Sequence, residues 1–173
     1  DVEIVIWTTT PWTIPGNQAI CVNKNLNYSI LNTSKGYLII AVDLIQDCMN
    51  RWKTTIIEDL GEFKGEQLLD LDAIHPLFKR RSKILHGDHV TTETGTGCVH
   101  TAPAHGVDDF NVCKQNGIET INPIGSNGCY KNEVEFFSGI HVRKVDEEVI
   151  AKLEDTNSLL NHEAYHHSYP HCW

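Results

Sequence analysis

Apolar positions along this chain fall in short runs separated by polar and turn-forming clusters, a pattern of strands more than of long helices. Glu3-Ile4-Val5-Ile6-Trp7 is rich in β-branched residues and predicts a strand over 3–9. Pro11 and Pro15 break it and make 10–18 a loop, after which Ala19 to Val22 resumes a strand. Tyr28–Leu31 and Tyr37–Val42 flank a five-residue hairpin loop over 32–36. Asp43 is a candidate N-cap for a short helix reaching about Trp52, followed by a strand over 54–58. The stretch 61–83 is mixed and broken by Pro76, and short strands are expected at 84–85 and 89–92. A helix is predicted from Asp108 to Asn116, stopped by Gly117, with Asp108 and Asp109 at its positive end. Residues 118–124 read as extended and 126–128 as a turn. Val145, Val149, Ile150 and Leu153 share one face of a helix over 143–154, and the tail from Leu159 alternates like a return strand. Many short strands with three helices predict one β-rich α+β domain over 1–173, a barrel or strongly curved sheet with peripheral helices.

Composition narrows the function classes. The 173 residues carry 14 basic and 23 acidic side chains, a net charge of -9, which argues against a broad footprint on duplex nucleic acid. A local basic patch for one RNA end stays open, and Lys79-Arg80-Arg81 with Lys83 reads as a solvated face or as a contact to a phosphate backbone. No apolar run approaches the roughly 20 residues of a membrane span, and Asp1-Val2-Glu3 has no basic leader region. The six cysteines, Cys21, Cys48, Cys98, Cys113, Cys129 and Cys172, form no CxxC pair and lie mostly in apolar segments. They read as reduced thiols of a cytoplasmic protein. The opening directly into a strand and the abrupt aromatic close, Tyr169-Pro170-His171-Cys172-Trp173, lead to the expectation of a domain within a longer chain.

Two segments concentrate polar chemistry. In Trp7-Thr8-Thr9-Thr10-Pro11-Trp12-Thr13-Ile14-Pro15-Gly16-Asn17, three consecutive threonines leave a strand and should present hydroxyls on alternating faces, with prolines stiffening the loop. Hydroxyls hold water or sugar without adding charge; a strand end chosen for β-propensity would look the same. Glu93 to Phe110 contains Gly95-Thr96-Gly97-Cys98-Val99-His100 and then His105, Asp108 and Asp109. The glycines let backbone approach a ligand closely, but His100 occupies a position where a dinucleotide fingerprint needs glycine. His100, His105, Asp108 and Asp109 could bind a divalent metal, supply acid–base groups, or be a packed histidine beside a helix cap. Weaker metal candidates are His86 with His89, and the tail with His162, His166, His167, His171 and Cys172. No G-x-S-x-G elbow is present.

Together, WTTTPWTIPGN, the later GTGCVHTAPAHGVDDF and the closing YPHCW resemble the editing domain inserted in class I isoleucyl-tRNA synthetases. The related valyl and leucyl enzymes carry arginine where this chain has Thr10 and lack a histidine at the position of His100. The resemblance implies a barrel-centred editing fold and hydrolysis of Val-tRNA(Ile), and also of valyl-adenylate if that is a substrate, by a pocket that refuses isoleucine. It implies that Thr8, Thr9 and Thr10 line the pocket and position substrate and water. Trp12 and Asn17 would shape the adenosine site. His100 would narrow the amino-acid pocket, Asp109 would pair with the α-ammonium, and the backbone of Gly95, Thr96, Gly97 and Val99 would pass close to the substrate. Cys98 and Ala104 stand where other small residues are expected. No metal is implied for editing; ATP and magnesium belong to a synthetic site elsewhere in such an enzyme. The implied partners are the acceptor end of tRNA(Ile) and the rest of the synthetase chain, with no membrane. Rival readings are a metal-dependent hydrolase built on His100, His105, Asp108 and Asp109, and a non-catalytic module that binds a tRNA end.

Overall fold

A computed structural model describes residues 1–69 and 71–164. Two four-stranded sheets carry the fold. The first has β1 (Val2–Ile4), β3 (Asn27–Thr33), β4 (Gly36–Ala41) and β5 (Ile56–Lys64) in the order β1-β4-β3-β5. The second has β2 (Ala19–Val22), β6 (Asp72–Ile74), β7 (Arg81–His86) and β8 (Cys98–Thr101) in the order β6-β7-β2-β8. A parallel bridge between Trp7 and Val99 joins the edge of one sheet to the edge of the other, so the eight strands make one curved run. The β-rich α+β expectation holds in this form. Among the described residues no ladder pairs β5 with β6 to close the opposite seam.

The main core lies under the first sheet, where Tyr28, Leu31, Leu38 and Ile40 are fully buried against Ile20, Val22, Cys98 and Trp52. Helix α1 (Ile45–Trp52) covers it through Cys48, Met49 and Trp52. A second core joins the 3-10 turn Pro11–Gly16 to helix α3 (Asp146–Asp155), with Ile14 packed among Tyr130, Phe137, Val145 and Val149. A third packs Cys113 of helix α2 (Val107–Gln115) against Ala19, Cys21 and Leu85. Burial of these side chains is the main driving force, roughly 25 cal/mol per Å² of apolar surface.

Several elements differ from the sequence expectation for identifiable reasons. The first strand ends at Ile4; Val5 N still donates to Ile39 O at 3.4 Å, and Trp7 then bridges to Val99 of β8. The loop after it winds into the 3-10 turn, helped by Pro11 at its first position. The hairpin loop shortens to Ser34-Lys35, because Thr33 Oγ1 accepts from Lys35 N and donates to Gly36 O. Asp43 makes no cap: it sits inside a 3-10 turn, Val42–Leu44, and α1 starts one turn later without a side-chain cap. The strand at 54–58 is the start of β5, which runs to Lys64 as an exposed edge. Residues 89–92 form no strand, and 118–124 contribute only the bridge of Ile124 to Tyr130. Residues 159–164 are not a strand, and the remainder of the expected return strand lies outside the described residues. Among the described residues no helix is long and apolar enough to cross a membrane. Cys21, Cys48, Cys98, Cys113 and Cys129 are all free, in line with the expectation of reduced thiols; Cys172 lies outside the described residues.

Candidate functional site

The site opens where the two sheets meet. A cavity of about 340 Å³ is lined on one side by Trp7, Thr8, Thr9, Thr10 and Thr13, and on the other by 94–100, Ala102, His105 and Asp109. That volume lies in the range of small-molecule sites. Three sequence segments converge here because β2 lies beside β8, and the bridge of Trp7 to Val99 brings the threonine strip to the same strand.

The threonine strip is not a regular strand. The chain bends at Thr9, Thr8 Oγ1 accepts from Thr10 N at 3.1 Å, and the Thr8 and Thr10 hydroxyls lie 3.3 Å apart. All three line the cavity.

The glycine turn facing them is tied down from behind. Tyr28 donates its phenol to Gly97 O at 2.6 Å, Ala41 N donates to Thr96 O at 2.9 Å, and Cys48 donates to Gly95 O at 3.3 Å. Thr96 spends its hydroxyl on Val5 O at 2.6 Å, so it fastens the turn instead of offering a free donor. Gly97 has φ of +77°, and a Cβ there would stand 2.3 Å from Ala41 Cβ; both facts demand glycine.

His100 is buried at the floor of the cavity. Asn17 Nδ2 lies 2.7 Å from its Nδ1 and Thr13 Oγ1 lies 3.0 Å from its Nε2. Burial, with His75 and His105 nearby, pushes its pKa down to about 4, so the ring is neutral. Asp109 enters from the first turn of α2, and its Oδ2 accepts from Ala102 N at 2.7 Å. Burial raises its pKa above the usual carboxylate value; the Ala102 N–H and His89 act in the opposite sense. A cation beside it would offset that burial cost.

Two residues expected to shape the adenosine site lie outside this cavity. Trp12 and Asn17 do not line the cavity. The Trp12 ring meets the His105 ring edge-on at 4.8 Å, while its backbone is held by Asp146 Oδ1 at 2.9 Å and by the Tyr130 hydroxyl. Asn17 is buried against His100. Both stand behind a wall residue, because the 3-10 turn rotates 11–17 inward onto the second core.

Sequence reasoning missed Trp7, Thr13, His89, Thr91 and Thr94 as lining residues. Trp7 and Thr13 lie in the first quoted segment and Thr94 in the second, and His89 was read only as a metal candidate; Thr91 carries no local signal. It also missed Arg80, which is no solvated residue. It donates to Pro15 O at 2.6 Å and Asn17 O at 2.9 Å and lies over the Phe78 ring at 5.0 Å, while Lys79, Arg81 and Lys83 are exposed.

The metal readings gain no support from the donors. Both ring nitrogens of His100 are already engaged, and Asp108 is exposed outside the cavity. His86 pairs with Asp88 at 3.0 Å and not with His89. Among the described residues no three His, Cys, Asp or Glu side chains are grouped to hold an ion. His162 is exposed, and His166, His167, His171 and Cys172 lie outside the described residues.

Comparison with known proteins matches this geometry to one family. The sequence profile described as "Leucyl-tRNA synthetase, editing domain" matches residues 1–165. Isoleucine--tRNA ligase of Idiomarina loihiensis is 49% identical over all of this chain, which spans 19% of that protein. The same ligase from Saccharophagus degradans is 46% identical over the whole chain, and again only 19% of the relative is covered. The crystal structure of GlLeuRS-CP1 superposes with a TM-score of 0.71 over 91% of this chain and 82% of that one, at 16% identity. The editing domain of the P. knowlesi cytosolic leucyl-tRNA synthetase gives 0.70 with the same coverage, at 11% identity. The two structures share the fold at identities too low to carry more.

Proposed function

This chain belongs to the synthetase editing-domain family, and from that premise we propose that it edits for an isoleucyl-tRNA synthetase, hydrolysing valine from tRNA(Ile) while refusing isoleucine. One observation carries the reading: the threonine strip, the buried His100 and the Asp109 carboxylate all face one cavity. The remaining four fifths of such an enzyme, the acceptor end of tRNA(Ile), and valyl-adenylate as a second substrate complete the proposal. The unpaired thiols go with a cytoplasmic setting.

Discrimination at a synthetic site is weak, because one methylene is worth only about 1–3 kcal/mol, isoleucine against valine being the standard example. A second pocket that admits only the smaller side chain supplies the rest. Here His100 closes the floor. It is buried, neutral and bonded at both ring nitrogens, so it resists displacement by an extra methyl group.

Asp109 takes the α-ammonium, placing the ester carbonyl at the threonine strip. An aminoacyl ester is already activated, so an oriented water suffices as nucleophile. The water oxygen bonds to the carbonyl carbon, the ribose oxygen leaves, and the water proton passes to that oxygen; valine and uncharged tRNA are the products. The Thr8 and Thr10 hydroxyls, paired with each other at 3.3 Å, present polar atoms to the cavity to which that water can bond.

The test is loss of ester from Val-tRNA(Ile) and Ile-tRNA(Ile) in excess EDTA, by the full-length enzyme, wild type and Asp109→Ala. Rapid loss of valine alone, abolished by the substitution, supports the reading. Loss that requires added metal supports the hydrolase alternative, and binding of the tRNA end without hydrolysis supports a non-catalytic module.

A further inference from the structure

Asn17 lies just before β2, and β2 runs between β7 and β8. Its side chain reaches both neighbours: Ser82 of β7 on one side, His100 of β8 on the other. The directions of these bonds are forced. Ala19 O accepts only, so the group 2.8 Å from it must be the Asn17 amide nitrogen. Asn17 Oδ1 then faces Ser82, whose hydroxyl must donate to it, at 2.6 Å. The second amide N–H points at His100 Nδ1, which must present a lone pair. The His100 proton therefore sits on Nε2 and is donated to Thr13 Oγ1, which in turn donates to Thr10 O at 2.9 Å.

We propose that Ser82 is a positioning residue for selectivity: its hydroxyl fixes the Asn17 amide, and the amide fixes the orientation and the Nε2–H tautomer of the His100 wall. This rests on the reading of His100 as the group that refuses isoleucine. Ser82 is 2% exposed and does not line the cavity, so it touches no substrate. Its role passes through two side chains that are themselves buried. Without the hydroxyl, Asn17 Oδ1 is buried with no donor. The amide then gains by leaving its place, and the ring loses the bond that holds Nδ1. Arg80 supports the same asparagine from the main-chain side, through Asn17 O at 2.9 Å.

Ser82→Thr and Ser82→Val separate the hydroxyl from the packing, because both add the same bulk and only one can donate. Two readouts are taken: the 15N spectrum of the histidine rings in this chain, and hydrolysis of Val-tRNA(Ile) and Ile-tRNA(Ile) by the full-length enzyme. The wild type shows His100 protonated at Nε2. Ser82→Thr stays close to it. In Ser82→Val the ring signals shift and broaden as a second state appears, and isoleucine hydrolysis rises on the order of tenfold relative to valine hydrolysis. The split matters: the valine rate constant at saturation holds while the isoleucine reaction appears.

A wild-type ring protonated at Nδ1 overturns the proposal, and that spectrum needs no variant to fold. Equal selectivity in the Thr and Val variants also overturns it. So does lost selectivity with an unchanged ring spectrum, since Ser82 would then act by another route. A His100→Ala control that still refuses isoleucine overturns the wall reading itself, while the ring spectra still decide the tautomer.

Discussion

His100 and His105 lie five residues apart in one polar segment and face the same cavity, yet their surroundings are opposite. His100 is on a strand, buried, with an asparagine at one ring nitrogen and a threonine at the other. His105 is in a turn, half-buried, meets the Trp12 ring edge-on, and its buried Nε2 has no hydrogen-bond partner among the described residues. On the proposed reading, two hydrogen bonds hold the floor in one geometry, while His105 leaves a ring nitrogen unpaired among the described residues. A sieve needs that division. Refusal of a methyl group requires a wall that does not yield, while a tRNA end that arrives and leaves requires a compliant mouth.

The largest test of this division is at the rim. Asp109→Ala removes the charge proposed to anchor the ammonium, and valine release should fall on the order of a hundredfold, because a misplaced ester loses its alignment with the water. Single-turnover deacylation measures it. A fall of only a few-fold would move the anchoring role to the floor.

The second test is at the glycine turn. Gly97→Ala must place a Cβ 2.3 Å from Ala41 at a φ of +77°, so thermal unfolding should show a loss of about 3 kcal/mol. Gly117 also has a positive φ but nothing within 4 Å of its would-be Cβ, and alanine there should cost much less.

How far the sequence foretold this division differs between its two halves. The threonine strip, the glycine turn, His100 and Asp109 were legible as a set, because unusual residue types cluster within two short segments. The strands expected over 19–22, 28–31 and 37–42 were legible as short apolar runs between turn signals, the last ending at Ala41. Ser82 and Arg80 were not, since their roles come from register: β7 beside β2 is a parallel pairing across some sixty residues that no local pattern announces. Asp43 failed as a cap because a 3-10 turn preceded the helix, and Arg80 failed as a surface charge because its chain neighbours alone are solvated. That Trp12 and Asn17 lie outside the cavity was not legible, since the turn that rotates them inward depends on Ile14 packing against α3.

A third prediction concerns pH. His100 and His75 both have pKa values near 4 in the folded protein, depressed chiefly by burial, against about 6.5 unfolded. Between those values the unfolded chain binds more protons, so stability should be constant above about pH 6.5 and fall steadily toward pH 4. Asp109 opposes this at the acid end, since its raised pKa lets the folded state take up a proton first. Unfolding midpoints across that window check the sign. His105→Gln should leave most of the fall in place, because His75 and the tied floor histidine carry it.

The smallest effect is expected from activity in that same His105→Gln variant. It keeps the bulk against Trp12 and leaves the floor untouched, so valine release should change by a few-fold at most, in KM more than kcat. Loss of discrimination in this variant would erase the distinction between the two histidines.

The central claim is that His100 is the wall. Its most direct test is hydrolysis of Ile-tRNA(Ile) by His100→Ala in the full-length enzyme, beside Val-tRNA(Ile). The account predicts that isoleucine becomes a substrate and valine remains one, with selectivity reduced on the order of tenfold or more. Continued refusal of isoleucine, with valine hydrolysed as before, would place the sieve elsewhere in the cavity and contradict the account.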